Sequence, residues 1–188
     1  DDVATFCYTS GTTGNPKGAV LTHGNLIADA SAAQLLGVGL TADDVHLSYL
    51  PLAHMFERLV QVCVLSNGAR IGFFQGSPLK IIEDLQALRP TLFPSVPRLF
   101  NRIYDKVMAG VVAKGGLGQM LFMSGLEAKK QGLAHNVLEH GFWDGLVFGK
   151  VKARLGLDRC WLMITGSAPI AAHVMEFLRV VFSCTVLE

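Results

Sequence analysis

The chain has 188 residues, 51% of them apolar and 16% charged, with 16 Lys and Arg against 15 Asp and Glu for a formal net charge of +1. That length reaches a sizeable core for one domain or part of one, and the apolar content excludes a disordered segment. The charge balance lacks the basic footprint of a nucleic-acid binder, the six His form no HExxH pattern, and no run of about 18 uncharged apolar residues reads as a membrane-spanning helix.

Residues 3–9 are β-branched and aromatic and predict a short buried strand. A glycine-rich segment follows, and Ala19 to Thr22 reads as a second strand, so the two flank the segment as a hairpin. His23 to Leu36 predicts a helix stopped by Gly37. Val45 to Leu50 is a strand ended by Pro51. His54 to Ser66 is a helix with Leu59, Val62, Cys63 and Ser66 along one face, closed by Asn67-Gly68. Ala69 to Phe74 is the next strand.

Leu79, Ile82, Leu85 and Leu88 recur at helical spacing over 79–89, and Arg89-Pro90 stops that helix. Thr91 to Phe93 is a short strand. Pro97 suits the first position of a helix running to about Met108. Beyond Gly110 two helical stretches fall near 117–131 and 142–155. Trp161 to Thr165 is a strand, Gly166 to Pro169 a turn, Ile170 to Phe182 a helix and Thr185 to Leu187 a last strand. Strands alternate with helices, so the fold class is α/β with a largely parallel sheet.

The four cysteines, Cys7, Cys63, Cys160 and Cys184, form no CxxC pair and sit among apolar neighbours, which predicts buried free thiols in a reducing compartment. The apolar surplus fits either a lipid-like ligand pocket or a piece of a larger domain whose remainder covers apolar faces. The second reading is preferred, because the chain opens on Asp-Asp-Val and closes on Val186-Leu187-Glu188 within a strand pattern.

Residues 8–18, YTSGTTGNPKG, cannot build a core. Gly11, Gly14 and Gly18 permit positive φ and close backbone approach. Thr9, Ser10, Thr12 and Thr13 offer hydroxyls, Pro16 stiffens the loop, and Lys17 adds a mobile cation. Donors and one cation around exposed backbone make a phosphate cradle. It is not the common P-loop: Lys17 follows Pro16 and precedes Gly18, so no hydroxyl stands beside the lysine for magnesium, and a strand follows rather than a helix. By composition alone a solvent-exposed hairpin turn is an equal reading.

The ordered string T-S-G-T-T-G-x-P-K-G resembles the signature of the adenylate-forming superfamily of acyl-CoA synthetases, luciferases and peptide-synthetase adenylation domains. Leu50 to Arg58 (LPLAHMFER), residues 68–76 (GARIGFFQG), Pro94 to Arg102 (PSVPRLFNR), residues 142–156 and Ile164 to Pro169 (ITGSAP) resemble, in family order, segments of eukaryotic long-chain acyl-CoA synthetases.

The resemblance implies that 1–188 is part of the large N-terminal AMP-binding domain, with mixed, largely parallel sheets flanked by helices, and that the C-terminal swivel domain is absent. It implies ATP-dependent activation of long-chain fatty acids to acyl-AMP and then acyl-CoA in the full-length protein, with the isolated 188 residues inactive. Thr9, Ser10, Gly11, Thr12, Thr13, Gly14 and Lys17 would bind ATP phosphates, Lys17 and Thr13 acting directly in catalysis. Gly166, Ser167, Ala168, Pro169 and Glu188 would lie on the adenine side, and His54, Met55, Phe56, Pro94 and Val96 on the acyl side. Glu57 and Arg58 read as a solvated pair or as a brace for His54, the brace being preferred. Phe93, Pro94, Val96 and Pro97 fit a pocket wall or plain core packing.

ATP, Mg2+ and CoA are the implied substrates and cofactors, with no metal ligand inside this chain; fatty acid is the partner and nucleic acid is not. The resemblance implies an intracellular, membrane-associated site such as endoplasmic reticulum or peroxisome, without fixing the organelle. Residues 110–149, with Leu117, Met120, Leu121, Phe122 and Met123 beside Lys129 and Lys130, read either as a packed helical hairpin, the preferred reading, or as an amphipathic element in peripheral membrane contact. Two rival functions remain open: an adenylating enzyme that passes acyl-AMP to a carrier-protein thiol, and a non-catalytic nucleotide-binding relic.

Overall fold

The structure is a computed structural model that describes residues 2–9, 15–35, 37–166 and 168–188. The chain divides into two compact units, Asp1–Phe74 and Gln75–Glu188.

In the first unit, β1 (Val3–Thr9) and β2 (Lys17–Thr22) form an antiparallel hairpin closed by the pair Thr9 and Lys17. Strand β2 thus begins at Lys17 rather than at Ala19. Helix α1 (His23–Leu35) starts without a linker, because Thr22 and Asn25 cap it reciprocally. The Asn25 amide donates to Thr22 Oγ1 at 3.2 Å, and the Thr22 amide donates to Asn25 Oδ1 at 3.0 Å. Strand β3 (Val45–Ser48) pairs in parallel with β4 (Arg70–Phe73), joined by α2 (Met55–Ser66). Helix α2 ends where Asn67-Gly68 predicted, with Gly68 at φ 68°. Its buried face differs from the one expected: Glu57, Val60, Cys63 and Val64 are inside, whereas Leu59 and Val62 are half-buried.

In the second unit a 3-10 turn (Pro78–Lys80) leads into α3 (Ile81–Leu88), and Leu79 is exposed on that turn rather than on the helix core face. Arg89, in the left-handed region at φ 51°, ends α3. Strands β5 (Leu92–Ser95), β6 (Leu162–Thr165) and β7 (Thr185–Leu187) run parallel in that order. Between β5 and β6 come α4 (Pro97–Lys114), α5 (Gly116–Leu133), α6 (Gly141–Trp143), a π-helical turn (Asp144–Phe148) and α7 (Gly149–Leu155). Helix α8 (Ala172–Phe182) links β6 to β7. The π turn is closed by the Gly149 amide donating to the Asp144 carbonyl, five residues back. Phe93, Phe100, Phe148, Met163 and Phe182 are fully buried, and the Phe93 and Phe100 rings meet edge-on at 5.9 Å between centroids.

Further departures from expectation fall at the ends of α4 and β5. Helix α4 runs through Gly110 to Lys114, because Ile103 and Val111 on its inner face are buried and outweigh the roughly 1 kcal/mol cost of a helical glycine. Strand β5 continues through Pro94 to Ser95, in register with Ile164 and Thr165. Among the cysteines, all four are free and Cys63, Cys160 and Cys184 are buried, but Cys7 is only half-buried.

Candidate functional site

The hairpin holds the two ends of the glycine-rich segment. Ser10, Gly11, Thr12, Thr13 and Gly14 fall outside the described residues. Their two anchors do not: Thr9 ends β1 and Lys17 opens β2, directly opposite each other. One pair further in, the Tyr8 ring lies across Gly18, where a Cβ would stand only 3.3 Å from Tyr8 Cε1. A side chain at position 18 would press on that ring unless the ring shifted.

The segment expected on the acyl side is tied to this hairpin within the same unit. Arg58 donates to the Leu52 carbonyl and, through Nη1, to Thr5 Oγ1 of β1. Cys7 Sγ of β1 donates to the Ala53 carbonyl at 3.3 Å. His54 is exposed in extended conformation at the N-cap of α2, and Met55 and Phe56 are half-buried. Glu57 does not brace His54. It is wholly buried, with its Oε1 3.1 Å from His46 Nε2 of β3. Arg58 and Glu57 are therefore neither a solvated pair nor partners of each other.

In the second unit the predicted residues gather at the carboxyl ends of parallel strands, where open α/β sheets bind ligands. Val96 follows β5, Gly166 follows β6 and Glu188 follows β7. Ser95 is level with Thr165, and Ile164 with Leu187. Glu188 Oε1 accepts from the Ile170 amide at 3.2 Å, which draws the turn containing exposed Ala168 and Pro169 toward the end of β7. Ser167 lies outside the described residues. Pro94 is buried within β5, and Val96 is half-buried at the N-cap of α4.

Three groups went unnoticed in the sequence. Thr165, 2% exposed at the end of β6, has no hydrogen-bond partner for its hydroxyl among the described residues. The His46–Glu57 pair is the second, and its signal was an acid on the same helical face as Val60 and Val64. The third is a part-buried polar knot around Lys129. Lys129 Nζ lies 2.5 Å from Asp144 Oδ1 and 2.7 Å from Ser183 Oγ, and Lys152 Nζ reaches the same hydroxyl at 2.9 Å. Lys129 is only 2% exposed, whereas its neighbour Lys130 turns outward to Glu176 at 2.9 Å. Burial pushes the Lys129 ammonium below its ordinary pKa, against the opposing pull of Asp144. Burial also drives the Cys184 thiol up to about 12.

Among the described residues no group of three or more His, Cys, Asp and Glu could hold a metal ion, and no helix is long and apolar enough to cross a membrane.

A family model described as AMP-binding enzyme matches residues 1–188. Long chain acyl-CoA synthetase 6, peroxisomal, of Arabidopsis thaliana is 50% identical over 188 residues, covering all of this chain and 26% of that protein. Long-chain-fatty-acid–CoA ligase 1 of Homo sapiens is 44% identical over 192 residues, covering all of this chain and 27% of that one. The chain thus spans about a quarter of the length of the curated relatives it matches. Among solved structures, the adenylation domain of a carboxylate reductase from Mycobacterium chelonae superposes with a TM-score of 0.73 at 20% identity, over 98% of this chain and 26% of that one. The corresponding didomain from Segniliparus rugosus, in complex with AMP, gives 0.69 at 21% identity, over 98% and 23%. At such identities the likeness is one of fold.

Proposed function

The chain belongs to the AMP-binding enzymes, and on that footing we propose that the full-length protein is a long-chain fatty acid–CoA ligase. A fatty carboxylate oxygen bonds to the α-phosphorus of ATP as pyrophosphate departs. The thiol of CoA then takes the acyl carbon, and AMP leaves. Residues 1–188 are assigned to the large N-terminal domain, and the swivelling C-terminal domain to the rest of the protein.

The reading is carried by 44–50% identity to CoA ligases along the entire chain. The solved neighbours that act through carboxylate reduction share only 20–21%, so transfer to a carrier-protein thiol has no comparable support. Charge accumulates on phosphate oxygens as pyrophosphate leaves, and donors already in place lower that barrier. Thr9, Ser10, Gly11, Thr12, Thr13, Gly14 and Lys17 are assigned to this task, with Lys17 and Thr13 nearest the chemistry. Gly166, Ser167, Ala168, Pro169 and Glu188 take the adenine side, where small residues let a flat base approach backbone. His54, Met55, Phe56, Pro94 and Val96 take the acyl side. Mg2+ enters as the counter-ion of ATP. The described residues offer it no cluster of ligands, and no step is assigned to it.

Peripheral membrane contact at an intracellular site is part of the proposal. It is supported by exposed Val112, Leu117, Met120 and Met123 on α4 and α5. The same two helices also help to line a cavity of about 600 Å3 whose walls include Lys106, Lys114, Lys150 and Arg154. The peroxisomal label belongs to the plant relative.

The test is palmitate-dependent ATP–pyrophosphate exchange by the full-length protein. Lys17→Ala and Thr13→Ala should each slow exchange by about 100-fold while the melting temperature holds. Wild-type rates in both variants would remove the phosphate role. Exchange without CoA-dependent acyl transfer would favour the carrier-protein alternative.

A further inference from the structure

Glu57 and His46 are each 0% exposed, and the pair sits between α2 and β3 of the first unit. Taking such groups out of water is costly, and the pair is not even saturated: His46 Nδ1 and Glu57 Oε2 have no partners among the described residues. An apolar contact between helix and strand would hold the two together at less cost. Nearby Val60 and Val64, 6% and 0% exposed, already supply one.

What the polar pair adds is a fixed position. Apolar faces can slide or rotate by a fraction of a turn, whereas a hydrogen bond specifies both register and rotation. Gln61, one turn beyond Glu57, donates to Glu57 Oε1 at 3.1 Å and to Ser48 Oγ at 3.0 Å. The cluster therefore joins the first two turns of α2 to His46 and Ser48 of β3. Immediately before Glu57 come Phe56, Met55 and His54, and the chain ahead of them is held from the other side. The His54 amide donates to Pro51, Arg58 donates to Leu52, and Cys7 donates to Ala53.

We propose that Glu57, seated by His46, is the positioning residue that sets the His54-Met55-Phe56 turn against the acyl substrate. This rests on the reading above that the turn lies on the acyl side. Glu57 touches no reacting atom in this account. It acts by holding the turn within the tolerance that substrate alignment needs, where a shift of 1 Å can cost about 100-fold.

The experiment uses the full-length protein with palmitate and ATP, comparing Glu57→Ala, Glu57→Gln, Glu57→Asp and Val64→Ala. Val64→Ala loosens the same helix without touching the pair. Glu57→Ala should raise the KM for palmitate by about tenfold or more while leaving the KM for ATP within about twofold. Glu57→Gln, which keeps an acceptor for His46, should restore most of the loss. Hydrogen exchange at the amides of residues 54–56 should quicken in Glu57→Ala but not in Val64→Ala. An equal palmitate effect in Val64→Ala, or parallel rises in both KM values, would overturn the proposal by making the role merely structural. Should Glu57→Ala fail to fold, Glu57→Asp decides: it withdraws the carboxylate by one methylene, and an unchanged palmitate KM would overturn the idea. A wild-type protein inactive on palmitate would sink the ligase reading. The exchange comparison would still decide whether Glu57 holds the turn, and unaltered exchange in both Glu57→Ala and Glu57→Asp would overturn it.

Discussion

Replacing Lys129 probes the part-buried knot between α5, the π turn, α7 and the end of α8. Its side chain is 1% exposed, and its ammonium meets Asp144, Ser183 and, at 5.2 Å from the ring centroid, Phe148. Lys129→Ala deletes three buried methylenes, about 2.4 kcal/mol of packing at roughly 0.8 kcal/mol each. It also removes one hydrogen bond each from Asp144 and Ser183, about 1 kcal/mol in all, because Ser183 keeps Lys152 and Asp144 keeps the Ser183 hydroxyl and the His140 amide. Release from the desolvation of the ammonium offsets part of this, for a net loss of about 3 kcal/mol. Lys129→Met keeps the volume and gains the same release, so its loss should be about 1 kcal/mol. Thermal melting reads the contrast, at roughly 4 °C per kcal/mol for a unit of this size. A methionine variant as unstable as the alanine one would refute the reasoning, because packing would then not be what Lys129 supplies. The knot should also be acid-sensitive. Burial alone would raise the Asp144 carboxyl, but the His140 amide and the Lys129 ammonium outweigh it and hold the pKa below its ordinary value. The unfolded chain therefore takes up that proton first as pH falls. The stabilisation is complete above the ordinary aspartate range and is lost as pH drops through the folded value. In Lys129→Met that acid loss should shrink.

Gly156→Ala should cost about 4 kcal/mol. Gly156 has φ 73°, and an added Cβ would fall 2.2 Å from the Leu85 carbonyl oxygen; a melting temperature within 3 °C of wild type would contradict this close approach of α7 to α3. For membrane contact, converting Lys106, Lys114 and Lys150 to Gln should weaken sedimentation with phosphatidylserine-containing vesicles by roughly 100-fold, at about 1 kcal/mol per charge. Binding that is unchanged, or equal on pure phosphatidylcholine, would remove that surface from the interface.

Much of the architecture was legible because local signals and tertiary demands agreed. The hairpin, the helix end at Asn67-Gly68 and the stop at Arg89 all rest on backbone chemistry that acts over a few residues. Gly110 and Pro94 misled because burial of their surroundings overrode a local preference. Lys129 and Lys130 are neighbours in sequence yet differ in burial, because a helix turns about 100° from one residue to the next, which sends one inward and the other out. The glycine-rich segment was legible as a string of residue types that resembles a family signature. The His46–Glu57 pair was legible only by half: Glu57 shares a helical face with Val60 and Val64, but nothing in VHLS says that a strand histidine will be brought to meet it. That meeting depends on how α2 returns over β3.

The π turn at Asp144–Phe148 carries one residue more than an α-helical turn would. Such a residue sets helical phase. Removing it would let the α-helical hydrogen bonds run on unbroken into α7 and would rotate everything upstream by about 100° relative to α7. Asp144 would then swing out of line with Lys129, although every side chain of the knot remained in the sequence. Relatives that differ by one residue in this stretch would therefore differ in whether the knot can be tied at all, and an alignment that placed the gap a few positions away would hide it.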